Sequence, residues 1–203
     1  ELFEHIVPID TNAALSPWGI AFNASQRMAI EADSTWLENK QDAGQKGLAA
    51  ARSIALLSYR HYNGYDITPP RDKSFVSNKD VIYAADSYQR YKGLKLVSRF
   101  NALCYYRLSQ SMDSHDVGRN RGGVEKALQG LQAKTLVIGI KSDVLYPIIE
   151  QEYLQEHIKG AQLLSIASDF GHDGFLLEYE KIETALKKFI EEKTSHHLKV
   201  VNE

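Results

Sequence analysis

The chain has 203 residues, with 24 Lys plus Arg against 26 Asp plus Glu, a formal net charge of −2, and 43% hydrophobic residues. That length and composition fit an ordinary globular protein with room for a sizeable core. The near-balanced charge gives no basis for attraction to nucleic acid or an anionic membrane, and no apolar run reaches the roughly 18 residues of a bilayer span.

The start, "ELFEHIVPID", lacks the basic region and cleavage site of a signal peptide. The single cysteine, Cys104, excludes an internal disulfide and suits a reducing, cytoplasmic setting. Within "RFNALCYYRL" it is expected to be a buried structural thiol.

"HIVPID" (5–10) predicts a short buried strand. The next segment predicts a helix, with Ser16 as cap and Pro17 in the first turn. "KGLAAARSIALLSYRHY" (46–62) predicts a strong helix, and "NGYDITPPRD" (63–72) a loop. Residues 74–116 predict several helices broken at Gly93, almost without strand signal, and "GRNRGG" (118–123) a glycine-rich loop.

After residue 130 the pattern changes. "AKTLVIGIKSD" is the continuous apolar run of a strand buried on both faces, and "AQLLSIAS" (161–168) is a second one. Helices are expected between them (147–158) and after them (173–193). This alternation predicts an α/β fold: a parallel sheet flanked by helices, with a helical cap insertion. The core is expected at 1–73 and 126–193, the cap at 74–125 and a mobile tail at 194–203.

Functional groups of open parallel sheets collect at the C-terminal ends of the strands. Asp143 stands three residues beyond Ile140, and His172 stands four beyond Ser168 in "SDFGHDGF". On neighbouring strands they form the orienting acid and the base of a nucleophilic triad, in the order acid then histidine. The plainer reading of Asp143 is a cap for the helix after it. No G-x-S-x-G elbow, strict or relaxed, supplies a nucleophile in this sequence.

"SPWGIAFNASQRMAIEAD", "GLAAARSIALLSYR", "MDSHDVGRNRGG", "LVIGIKSDVLYP" and "SDFGHDGFLLE" together resemble homoserine O-acyltransferases of the α/β-hydrolase fold. The resemblance implies that the chain is the C-terminal part of such an enzyme, with the nucleophilic serine and the oxyanion donors in a missing N-terminal half. It implies acetyl transfer from acetyl-CoA to L-homoserine in methionine biosynthesis, with acyl-CoA as cosubstrate, no bound cofactor, and a cytoplasmic homodimer. It further implies Asp143 and His172 as triad acid and base, Asp173 as the carboxylate for the substrate amine, Arg52 as the arginine for the substrate carboxylate, and Tyr59 as an aid to positioning.

The residues themselves support part of this assignment. Arg52 and Tyr59 lie seven apart on one helix face, and an arginine among alanines wants an anionic partner. A structural ion pair is the alternative. Asp10 departs from the family, which has a small residue there, and so does the loop within "ADSTWLENKQDAGQKG".

Other readings stay open. "GRNRGG" is either a contact for coenzyme A phosphates or a plain loop, and His115-Asp116 belongs to that loop's hydrogen bonding. His196 and His197 are too few for a metal site, and no metal is expected. Serine O-acetyltransferase, homoserine O-succinyltransferase and an esterase are alternatives within the fold. An inactive fragment or interaction module is the non-enzymatic one.

Overall fold

The computed structural model describes residues 2–67, 74–77 and 80–191. In chain order come β1 (His5–Ile6), α1 (Pro17–Glu31), α2 (Gln45–Tyr59) and α3 (Tyr62–Ile67). An antiparallel pair, β2 (Ser74–Ser77) and β3 (Asp80–Tyr83), leads into α4 (Ala84–Val97), α5 (Ala102–Asp113) and α6 (Val124–Gln129). The chain then alternates through β4 (Lys134–Ile140), α7 (Ile148–His157) and β5 (Gln162–Ile166). A single 3-10 turn at Gly171–Asp173 precedes α8 (Gly174–Leu177) and α9 (Tyr179–Glu191).

The apolar run of β4 is the centre of the fold. Successive side chains of a strand point to opposite faces. Leu136, Ile138 and Ile140 therefore pack with Ile166, Ile182 and Phe189 on the α9 side. Val137 packs the other way, with Leu128 of α6 and Leu154 and Ile158 at the end of α7. Burial on both faces is why no polar alternation interrupts the sequence. The three strands are parallel in the order β1-β4-β5, so the ends of β1 and β5 flank the end of β4. Pro8 limits β1 to two residues, and pairing resumes as a single bridge between Ile9 and Ile138.

A helical layer lies beside the sheet. Ile30 of α1, Leu48 and Ala51 of α2, Leu96 of α4 and Ala102 of α5 form one buried cluster. Asp113 joins α5 to α1 by accepting Asn23 at 2.9 Å and pairing with Arg27 at 2.6 Å. Ser16 caps α1 as expected, its hydroxyl accepting from the Gly19 amide at 3.2 Å.

Five local expectations are corrected. Residues 62–67 are helical where Asn-Gly signals a turn, and Asn63 there donates to the Asp169 carboxylate at 2.8 Å. The pair β2–β3 escaped notice because runs of four residues carry no readable period.

Gly93 lies inside α4 instead of ending it. A Cβ there would sit 2.6 Å from the Ala49 carbonyl oxygen, so the glycine allows α4 to cross α2 closely. The C-terminal helix is divided at Glu178 into α8 and α9. Cys104 is exposed, because α5 buries Ala102 and Ser109 and position 104 falls off that face. The expected tail, His196 and His197, and residues 68–72 of the expected loop lie outside the described residues.

Candidate active site

Strand order brings the two predicted groups together. The turn after β4 carries Asp143, whose amide donates to the Ile140 carbonyl at 3.1 Å. The turn after β5 carries His172, and its Nδ1 lies 2.7 Å from Asp143 Oδ2. The other carboxylate oxygen of Asp143 accepts from the amides of Leu145 at 2.7 Å and Tyr146 at 3.0 Å. The plainer reading is corrected: the helix after this turn, α7, has Pro147 as its N-cap with no side-chain hydrogen bond, so one oxygen of Asp143 braces the turn and the other meets the imidazole. The Asp143 side chain is fully buried and that of His172 is 17% exposed. With Nδ1 bound to the acid, Nε2 is the ring nitrogen such an arrangement offers for proton exchange.

The two turns are tied to each other and to the helical layer. The Ser142 hydroxyl donates to the Ser168 carbonyl at 2.6 Å and accepts from the Gly171 amide at 3.2 Å. Gly171 has φ +63°, and a Cβ there would stand 2.8 Å from the backbone of Arg60 and His61 at the end of α2. Glycine is thus required by conformation and by contact. Gly171→Ala is expected to destabilise the protein by about 2 kcal/mol or more, since the left-handed backbone alone costs roughly 1–2 kcal/mol. Urea unfolding checks this.

The imidazole is walled by aromatic rings. Tyr59 of α2, Tyr146 and Phe175 have ring centroids 5.7, 5.5 and 5.3 Å from that of His172. Beyond Tyr59 and Tyr146 lies a cavity of about 180 Å³, with Asn23, Gln26 and Ser109 among its polar lining groups. Burial pushes the Tyr59 hydroxyl above its ordinary pKa, against the nearby Arg52 charge. Burial alone would lower the His172 pKa, but the Asp143 hydrogen bond and charge, aided by Asp10 and Asp173, raise it. Deprotonated His172 therefore gains population only above the usual imidazole range, and the rate of any reaction using it as a base rises through that pH.

The other predicted residues surround this pair. Arg52 is half-buried on α2, its guanidinium carbon 5.1 Å from the Tyr59 ring centroid. Among the described residues no carboxylate forms an ion pair with it, so the alternative of a structural ion pair gains no support. Asp173 lies 3.2 Å from Arg60 Nε, and the Arg60 guanidinium also donates to the Tyr88 hydroxyl at 3.3 Å.

Sequence reasoning missed Arg60, which stands at the C-terminal cap of α2, where basic residues are common and carry no signal of their own. Asp10 was noted only as a departure, yet it directly follows the Ile9–Ile138 bridge beyond β1, beside the pair. One donor atom each from Asp10, Asp143 and His172 lie within 4.8 Å of one another, a spacing that metal ligands also have. With Nδ1 and Oδ2 already joined, a hydrogen-bonded acid–base group accounts for this geometry. The glycine-rich turn at 118–123 is braced internally, Asp116 accepting from Gly118 at 2.7 Å and Arg121 donating to Val117 at 2.9 Å. No helix among the described residues is long and apolar enough to cross a membrane.

An acid and a histidine at adjacent C-terminal strand ends, beneath a helical layer, define an α/β-hydrolase fold, and solved structures agree. A homoserine O-acetyltransferase from Bacillus anthracis superposes with a TM-score of 0.85 at 20% identity, over 95% of this chain and 54% of that one. Esterase E22 superposes with a TM-score of 0.84 at 17% identity, over 93% and 54%. In sequence, the homoserine O-acetyltransferase of Cyclobacterium marinum is 45% identical over 189 residues, 93% of this chain and 53% of the relative. No family model matches the chain. The chain belongs to the homoserine O-acetyltransferase family and spans about half the length of the curated relatives it matches.

Proposed function

We propose that the protein carrying this chain transfers an acetyl group from acetyl-CoA to the hydroxyl of L-homoserine, with His172 as the base and Asp143 as its orienter. The observation that carries the chemistry is the 2.7 Å contact from His172 Nδ1 to the buried Asp143 carboxylate. Its family membership supports the choice of substrates. Because no serine among the described residues stands in a strand–turn–helix elbow, and the sequence holds no G-x-S-x-G motif, the nucleophile is assigned to a segment outside these 203 residues.

The route is ping-pong. His172 takes the proton of the nucleophilic serine as it attacks the thioester, and returns a proton to the departing thiolate of coenzyme A. Homoserine then enters with its carboxylate on Arg52 and its ammonium on Asp173, which Arg60 holds in place. His172 removes the homoserine hydroxyl proton as that oxygen attacks the acyl-enzyme, and the serine leaves with a proton from the imidazolium. Tyr59 positions homoserine beside the imidazole.

Intact-mass measurement of the whole protein after brief exposure to acetyl-CoA tests this route. One acetyl adduct, discharged by homoserine, is expected. The absence of an adduct under conditions of turnover contradicts the ping-pong step. The likeness to esterase E22 favours a second reading, in which water takes the place of homoserine. Arg52 argues against it, because hydrolysis of an uncharged ester needs no half-buried cation beside Tyr59, a ring that walls the base.

A further inference from the structure

The mechanism above makes no use of Asp10, although it is built into the same site. It follows β1 with φ 42°, a left-handed conformation that Asp and Asn tolerate better than other non-glycine residues. It is 3% exposed. Its amide donates to the Ile138 carbonyl at 2.9 Å, and its Oδ1 accepts from the Ile140 amide at 2.8 Å. The backbone on both sides of the β4 terminus thus fixes the carboxyl group in place. Oδ2 is buried, and no hydrogen-bond partner reaches it among the described residues. A buried, unpartnered oxygen of an ionised carboxylate is costly, and a proton on it removes most of that cost.

We propose that Asp10 is a positioning residue for His172: a second carboxyl group, ending the neighbouring strand, that carries a proton in the resting site and makes the imidazolium harder to deprotonate once it has released that proton to solvent. The inference rests on His172 being the base of the proposed reaction. Burial pushes the Asp10 pKa up to about 7, assisted by the Asp143 charge and opposed by the Ile140 amide and His172. Its titration therefore falls in the range where His172 changes charge, and the two groups give up their protons as a coupled pair.

The other titratable groups facing His172 are Asp143 on the turn after β4, the adjacent Asp173, Tyr59 from α2 and Tyr146. Arg52 stands behind Tyr59, and Arg60 behind Asp173. Of these carboxyl groups, Asp143 uses both oxygens on Nδ1 and the backbone, and Asp173 pairs through Oδ2 with Arg60; Asp10 is the one with a buried oxygen that no partner reaches among the described residues.

The test is a histidine NMR titration of the whole protein, with the His172 signal assigned by its loss in His172→Gln, compared with Asp10→Asn. Asparagine keeps the acceptor for Ile140 and tolerates the left-handed backbone, but it cannot ionise. The His172 midpoint is expected to fall by about half a unit to one unit in the variant, a typical effect of removing a nearby charge. A midpoint that is unmoved or raised overturns the proposal, even if activity falls, because a purely structural role leaves the imidazole titration in place.

The Asp10 side-chain carboxyl carbon of the unaltered protein gives a second measurement that needs no variant. A midpoint near 7 is expected. Ionisation complete below about pH 5, as for an ordinary carboxylate, overturns the proposal. Neither readout depends on acetyl transfer, so failure of the proposed reaction is seen separately, in the turnover of the whole protein.

Discussion

Replacing Asp143 by Asn lowers kcat of the whole protein by about 10⁴-fold, the size of loss seen when a triad acid is exchanged for its amide. The fold should survive, because the oxygen that accepts from Leu145 and Tyr146 is retained. What changes is the group facing His172 Nδ1, now 2.7 Å from a carboxylate oxygen. An amide nitrogen there donates, which makes Nδ1 the acceptor and puts the ring proton on Nε2, where a base needs a lone pair. Steady-state turnover together with circular dichroism checks this. A loss of less than about 10-fold, in a folded variant, removes Asp143 from the mechanism.

Replacing Arg52 by Ala is the second large effect, and it separates the transferase from the esterase. Losing a partly buried charge contact to a substrate carboxylate costs roughly 2–5 kcal/mol. kcat/KM for homoserine is therefore expected to fall by about 30-fold or more. Hydrolysis of an uncharged acetyl ester, which offers nothing for the guanidinium to bind, should change little. Arg52→Lys should recover part of the loss, since it keeps the charge but not the planar fork. Equal losses for both substrates would mean that Arg52 supports Tyr59 and the wall of the site instead of binding the amino acid. Against that outcome stand the half-buried position of Arg52 and its lack of a carboxylate ion-pair partner among the described residues.

The sheet was readable because burial writes its own pattern. β4 is covered on both faces, so "TLVIGI" has no polar alternation, and the spacing to β5 left room for only one helix between them. The Asp143–His172 pair could be read for the same reason: strand ends are where such a fold places its chemistry. The β2–β3 pair is too short to show a period, and the break expected at Gly93 failed because contact with Ala49 decides that residue's role. Arg60 and Asp10 were not legible as site residues. Each joins the site through the pairing of distant segments, Arg60 with Asp173 and Asp10 with Ile140, and neither contact leaves a local mark in sequence.

The most direct test of acetyl transfer through this site is the product formed by the purified whole protein from acetyl-CoA, with and without L-homoserine, measured for the unaltered protein and for His172→Gln. The account predicts O-acetyl-L-homoserine, thiol release that depends on homoserine, and loss of both in the variant. Thiol release at the same rate without homoserine, or product formation that survives loss of His172, would contradict it.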